Sequence, residues 1–184
     1  MIGLIAAFII AMALSVTSTP LLIRFLVLHQ YGQFIRQDGP TQHLTKRGTP
    51  TMGGVVIILA TVVAWLIGSF VAGAGPSWSG LLLVFLFVGL GVIGLLDDGI
   101  KIMRQRSLGL HPSGKIIGQV LVASAFALGT LVLPNEYGEY PGTLAISFAR
   151  PTALTLGFAG LALGVVLYLI WTNLIVTAWS NATN

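Results

Sequence analysis

The sequence predicts an all-α, polytopic integral membrane protein with about five transmembrane helices, and three observations carry that reading. Of its 184 residues, 55% are hydrophobic and 8% charged, with a mean hydropathy of +0.94, whereas about 25% of an ordinary soluble domain is charged. The apolar residues fall into five uncharged runs, each close to the ~20 residues a helix needs to cross a bilayer core of ~30 Å. The cations also segregate. Arg24, Arg36, Lys46, Arg47, Lys101, Arg104, Arg106 and Lys115 fall on one side of these runs and Arg150 alone on the other. Basic residues mark cytoplasmic loops, so the N-terminus is expected outside, with segments 29–51, 97–114 and the Asn184 end in the cytoplasm.

Spans are expected near 2–28, 52–75, 80–96, 115–133 and 152–179, in a single membrane domain without internal repeats. Ile2 to Ile23 carries no charge; Pro20 should bend this helix near its end, and Arg24 should snorkel towards the headgroups. A cleaved signal peptide fits poorly, because no basic residue precedes the run and no short apolar core ends in a small-residue cleavage site. Gly73-Ala74-Gly75-Pro76 breaks the second span, and Trp78 is placed as an interfacial anchor. The third span is short and runs straight into Asp97-Asp98, after which 97–114 reads as a loop holding Lys101, Arg104, Arg106 and His111. Pro134 to Arg150 reads as turns with a short hairpin. The fifth run, 29 residues, makes a helix of about 43 Å, longer than the hydrocarbon core. Its polar end, with Thr172, Asn173, Thr177, Ser180, Asn181, Thr183 and Asn184, is expected to project or bend.

Leu95-Leu96-Asp97-Asp98-Gly99-Ile100-Lys101 is the stretch around which the chain is organised. Ionised groups beside apolar segments are costly and have a partner or a task. Acids ending a helix also oppose its macrodipole, by roughly 0.3–1 kcal/mol each, which Lys101 offsets in part. Two readings stand: an acid pair marking a loop and neutralised by Lys101, Arg104 and Arg106, or a binding and catalytic pair. Lys46-Arg47-Gly48-Thr49-Pro50-Thr51-Met52-Gly53-Gly54 likewise admits a phosphate site at a helix start or a basic flank with Thr49 as N-cap and Pro50 in the first turn. Asn181 and Asn184 lie three apart and are either site amides or hydrated ones. Lys115 and Gln119 form an i, i+4 pair at a span entrance, where snorkelling is the simpler account. His111 and His43 read as solvated loop residues. Phosphate-loop, dinucleotide, paired-histidine zinc and serine-elbow patterns are absent, and the lack of cysteine excludes thiolate chemistry. The three segments richest in polar chemistry nevertheless share one membrane face. Two carboxylates beside several cations there suit a metal–phosphate ligand.

Together, Arg47-Gly48-Thr49-Pro50-Thr51-Met52-Gly53-Gly54, Leu96-Asp97-Asp98-Gly99-Ile100-Lys101, Gly114-Lys115-Ile116-Ile117-Gly118-Gln119 and Ala178-Trp179-Ser180-Asn181-Ala182-Thr183-Asn184 resemble the phospho-N-acetylmuramoyl-pentapeptide transferases of bacterial cell-wall synthesis. The four motifs occur in family order and cover essentially the whole chain. The Ala-Trp-Ser-Asn wording and the basic pair before Gly-Thr-Pro resemble actinobacterial members. The resemblance implies transfer of phospho-N-acetylmuramoyl-pentapeptide from its UDP carrier to undecaprenyl phosphate, with Mg²⁺ required and UMP released. It implies a location in the bacterial cytoplasmic membrane, with the active site on the cytoplasmic face, lipid as surroundings, no nucleic-acid partner and a possible homodimer. By position it implies catalytic roles for Asp97, which would deprotonate or orient the lipid phosphate, and for Asp98 in the phosphate and metal network. Substrate-binding roles are implied for Lys46, Thr51, Lys101, Lys115, Asn181 and Asn184.

One departure from the family pattern bears on activity. In the family, the position of Asn184 opens an Asn-x-Thr-Asp-Gly-x-Asp-Gly run, and this sequence stops at its first letter. The chain therefore reads as the N-terminal half of a fold of about ten helices and is expected to be inactive alone. The rival readings are a sister N-acetylglucosamine-1-phosphate transferase, disfavoured by Thr-Pro-Thr-Met-Gly-Gly, a transporter, disfavoured by the lack of charge within the spans, and a non-catalytic fragment.

Overall fold

The computed structural model describes residues 1–29, 52–104, 108–142, 144 and 161–182. Among these the chain is all-helical, with α1 at Ile2–Leu28, α2 at Gly54–Val71, α3 at Trp78–Met103, α4 at Pro112–Val132 and α5 at Leu161–Ala182. All five are long and apolar enough to cross a membrane, as the sequence predicts. The helices group into two compact units, Met1–Pro76 with Phe87–Lys115, and Ser77–Leu86 with Ile116–Asn184.

The first unit is built on close backbone approach. The buried residues of α2, Val56, Ala60, Ala64 and Gly68, recur every four positions and so form one narrow stripe. A methyl added to Gly68 would lie 2.7 Å from both the Ala7 Cβ and the Gly3 carbonyl oxygen of α1. One added to Gly3 would lie 2.7 Å from the Ala72 Cβ. Lipid gives helices no hydrophobic reason to associate, so contact between small residues supplies the attraction. The far side of α1 exposes Leu4, Phe8, Met12 and Val16, apolar groups suited to acyl chains. Between α2 and α3, Ile58 fills the space where Gly91 lacks a side chain. The α2 helix stops at Val71, and Gly73 and Gly75 take φ of 76° and 71° in the turn that follows, a conformation glycine adopts without steric cost.

The second unit is held by polar rungs. The buried stripe of α4 is Gln119, Ala123, Ala127 and Thr130. Thr130 Oγ1 is 2.9 Å from the Tyr168 hydroxyl, and Asn173 Nδ2 donates to Ser124 Oγ at 2.9 Å. Gln119 meets Ser180 and Asn181 at the far end. The α5 amides Asn173 and Asn181 therefore bond to side chains of α4. After α4, the side chain of Asn135 accepts the N–H groups of Tyr137 and Glu139 at 2.9 and 2.8 Å, closing a tight turn of the kind asparagine favours. The described part of 134–150 contains no strand; residues 143 and 145–160 lie outside the described residues.

The stretch 97–114, expected to be a loop, is helical through Met103, and α4 starts already at Pro112. Lys101 explains the difference. It pairs with Asp97 at i, i+4 and with Asp98 at i, i+3, at 2.7 and 3.1 Å, with the acids on the N-terminal side, the order that favours a helix. The acids thus sit a turn and a half inside α3 while the cation occupies its last turn, where it complements the dipole.

Candidate active site

Neighbouring residues on an α-helix point about 100° apart, so Asp97 and Asp98 occupy different surroundings. Asp97 is buried, at 6% exposed. Its Oδ1 accepts the backbone N–H of Leu110 at 2.8 Å, and its Oδ2 lies 2.7 Å from Lys101 Nζ and 3.0 Å from Lys115 Nζ. A buried carboxylate is tolerated when its oxygens are paired, and both oxygens of Asp97 are. Lys101 also donates to Asp98 Oδ1 at 3.1 Å. The Asp98 side chain is 31% exposed, and its Oδ2 has no bond among the described residues. The formal charges of Asp97, Asp98, Lys101 and Lys115 cancel. All four belong to the first unit.

Two backbone features fix this cluster. The segment after α3 folds across Asp97 so closely that a methyl on Gly109 would overlap the carboxylate and lie 2.8 Å from the Asp97 carbonyl oxygen. Only glycine lets Leu110 bring its N–H within bonding distance. His111 Nδ1 is 2.7 Å from Ser113 Oγ at the start of α4, so His111 belongs to the turn, as the sequence suggests. Ahead of α2, Met52 holds φ at 72°, uncommon for a residue with a side chain, and its carbonyl accepts Val55 N–H at 3.1 Å. The Met52 methyl group lies against Gly99, 3.8 Å from where a Cβ would stand. Met52, at the start of the Met-Gly-Gly step into α2, therefore lies against the acid-bearing end of α3.

Of the residues singled out from sequence, Asp97, Asp98, Lys101 and Lys115 come together. Lys115 pairs with Asp97, so snorkelling is not its only task. Asn181 lies in the second unit, where its Nδ2 donates to Gln119 Oε1 at 3.1 Å and Gln119 Nε2 donates to Ser180 Oγ at 2.6 Å. Lys46, Thr51 and Asn184 lie outside the described residues. Sequence reasoning missed Gly109 and the Leu110 amide. A glycine between two leucines signals a turn, and nothing in that pattern says which side chain the turn covers. It also missed Ser180 as the partner of Gln119.

Among the described residues no three or more of His, Asp and Glu converge as a metal site. Mg²⁺ commonly takes one or two carboxylates and fills its octahedron with water and substrate phosphate oxygens. Asp98, with one oxygen uncommitted among the described residues, fits such a role; Asp97, with both engaged, does not.

The family model described as "Phospho-N-acetylmuramoyl-pentapeptide-transferase signature 1" matches residues 46–58. Among curated relatives, the phospho-N-acetylmuramoyl-pentapeptide-transferase of Beutenbergia cavernae is 55% identical over 184 residues, covering 100% of this chain and 51% of that protein. Those of Micrococcus luteus and Paenarthrobacter aurescens are 53% and 47% identical over 191 residues, covering all of this chain and 51% and 52% of theirs. The chain thus spans about half the length of the curated relatives it matches. No solved structure matches it. The signature over residues 46–58 and an identity near one half over the whole of this chain place it alongside the phospho-N-acetylmuramoyl-pentapeptide transferases, as the motifs suggest.

Proposed function

We propose that the complete transferase carrying this segment moves phospho-N-acetylmuramoyl-pentapeptide from its UDP carrier to undecaprenyl phosphate, at the cytoplasmic face of the bacterial cytoplasmic membrane. The observation that supports this best is the cluster of Asp97, Asp98, Lys101 and Lys115, gathered in the same unit as the family signature. Substrate contacts by Lys46, Thr51, Asn181 and Asn184, which the resemblance implies, belong to the same proposal.

The reaction joins two anions. An oxygen of the lipid phosphate attacks the sugar-bearing phosphorus of the diphosphate, a new P–O bond forms, the bond to the uridine-bearing phosphate breaks, and UMP leaves with the bonding electrons. A phosphate monoester has its second pKa near 6, so the nucleophile is already largely deprotonated at neutral pH and no strong base is needed. Positioning and charge neutralisation carry the barrier reduction. Lys101 and Lys115 serve that need as ammonium groups held at fixed positions. Asp98 would provide the protein's ligand to Mg²⁺, which when bound supplies positive charge to the phosphate oxygens.

The test is UMP release by membranes containing the complete transferase, supplied with undecaprenyl phosphate and either UDP-N-acetylmuramoyl-pentapeptide or UDP-N-acetylglucosamine. Mg²⁺-dependent release with the first donor alone is expected. Release with the second alone, or none with either, would overturn the proposal.

A further inference from the structure

We infer that the turn at 134–142 is a lipid-docking surface: Trp78, Tyr137 and Tyr140 seat it in the phospholipid headgroup layer at one rim of the bilayer, and Glu136 and Glu139 keep it from sinking deeper. All of these residues belong to the second unit, and none is assigned to the reaction proposed above.

The turn is short and tied back onto the helices that cross the membrane. Asn135 N–H donates to the Glu139 carbonyl at 2.6 Å and Gly138 N–H to the Asn135 carbonyl at 3.1 Å. Gly142 N–H then donates to the Thr130 carbonyl at 2.8 Å, so the chain returns to the last turn of α4. The join is tight: a methyl on Gly142 would stand 2.8 Å from Thr130 Oγ1 and 3.0 Å from the Tyr168 hydroxyl. Trp78 reaches the same rim. Successive spans run in opposite directions, so the start of α3 and the end of α4 share one side of the bilayer. Leu82 of α3 fills the space beside Gly129 of α4, and Trp78, four residues before Leu82, lies about 6 Å further out along its helix. Leu133, four residues beyond Gly129, is where α4 gives way to the turn.

The side chains at that rim suit headgroups. Tyr137, Tyr140 and Trp78 are 85%, 58% and 57% exposed, and rings with an apolar body and a polar tip gather where hydrocarbon meets water. The exposed apolar flank of α4, with Leu121, Leu128 and Val132, runs into the turn. The bilayer that covers this flank is therefore continuous with the surface the rings present. Depth is bounded from both directions. Burial of the rings draws the turn inwards, whereas an ionised carboxylate in hydrocarbon is costly. Glu136 and Glu139 are exposed and have no ion pair among the described residues, so nothing offsets that cost and the turn stops at the headgroups.

The experiment uses the complete transferase carrying this segment, otherwise free of cysteine, with a neutral fluorophore on Glu136→Cys, in phosphatidylcholine vesicles. Emission is read against three quenchers: a lipid with a nitroxide on its headgroup, a lipid with a nitroxide deep in its acyl chain, and aqueous iodide. The headgroup nitroxide is expected to cut emission about twofold, and the other two far less. Tyr137→Ser/Tyr140→Ser should halve the headgroup quenching and raise that by iodide, whereas Tyr137→Trp/Tyr140→Trp should preserve the parent pattern, since tryptophan favours the same layer. Adding Glu139→Leu to the labelled protein leaves neither acid and should shift quenching towards the acyl-chain nitroxide. Dominant quenching by iodide in the parent, without a headgroup response, would place the turn in water, as a surface for a protein partner, and overturn the proposal. So would a serine pair that quenches like the parent, or a Glu139→Leu variant that stays at the parent depth. Should the serine pair fail to accumulate, Tyr137→Ser alone must shift quenching in the same direction.

Discussion

Replacing Gly109 with alanine tests the arrangement at its tightest point without substituting a charged residue. The added methyl would overlap the Asp97 carboxylate and stand 2.8 Å from its backbone carbonyl oxygen, inside any real carbon–oxygen contact. Neither neighbour can yield easily, because the carboxylate is pinned by two lysines and the carbonyl is helix backbone. The turn must lift instead, breaking the 2.8 Å bond from Leu110 N–H to Asp97 Oδ1. A hydrogen bond to a charged group contributes about 1.5–3 kcal/mol, so the detergent-solubilised complete transferase should melt several degrees lower. UMP binding should weaken about tenfold, the loss of about 1.4 kcal/mol, as the Lys115 end of the turn loosens. Gly94→Ala is the control. A methyl there meets nothing within 4 Å, and alanine in a helix is favoured over glycine by roughly 0.5–1 kcal/mol, so that variant should melt at the same temperature or higher. Equal melting and equal UMP affinity for Gly109→Ala and the parent would refute the reasoning.

Three further outcomes follow from other parts of the chain. Gln119→Leu removes the amide contacts with Ser180 and Asn181 and should cost about 0.5–1.5 kcal/mol, seen as a lower melting temperature. Gly68→Val would drive a side chain into Ala7 and the Gly3 carbonyl; α1 should separate from α2, and protease sensitivity in membranes should rise sharply, whereas unchanged resistance would contradict the close packing. Because the chain has no cysteine, single-cysteine variants report sidedness cleanly. Glu136→Cys should react with an impermeant maleimide in intact cells and Arg104→Cys only after permeabilisation, and the reverse pattern would invert the proposed orientation.

Much of this architecture was legible in the sequence because lipid imposes a simple code. Uncharged runs of about twenty residues have few alternatives to a helix, and the break at Gly73-Ala74-Gly75-Pro76 falls just after α2 ends. Legibility fails where the determinant lies far along the chain. The acids appeared to end a helix because hydropathy drops at Asp97, whereas helical order continues as long as side chains three and four apart attract, as Asp97, Asp98 and Lys101 do. That Asp97 and Asp98 differ follows from their helical angle, but which of them is enclosed depends on the turn at Gly109 and Leu110, thirteen residues further on in the case of Leu110. Likewise, Asn181 admits a hydrated reading at the membrane edge until α4 supplies Gln119.

The rungs between α4 and α5 bear on membrane insertion. A helix bearing Asn173, Thr177, Ser180 and Asn181 is a poor solitary guest in hydrocarbon, since every unpaired amide or hydroxyl is penalised there. With Thr130, Ser124 and Gln119 waiting on its neighbour, much of that penalty disappears. Pairing with α4 thus lowers the cost of placing α5 in hydrocarbon, whereas α1, whose exposed flank is apolar, needs no partner of that kind.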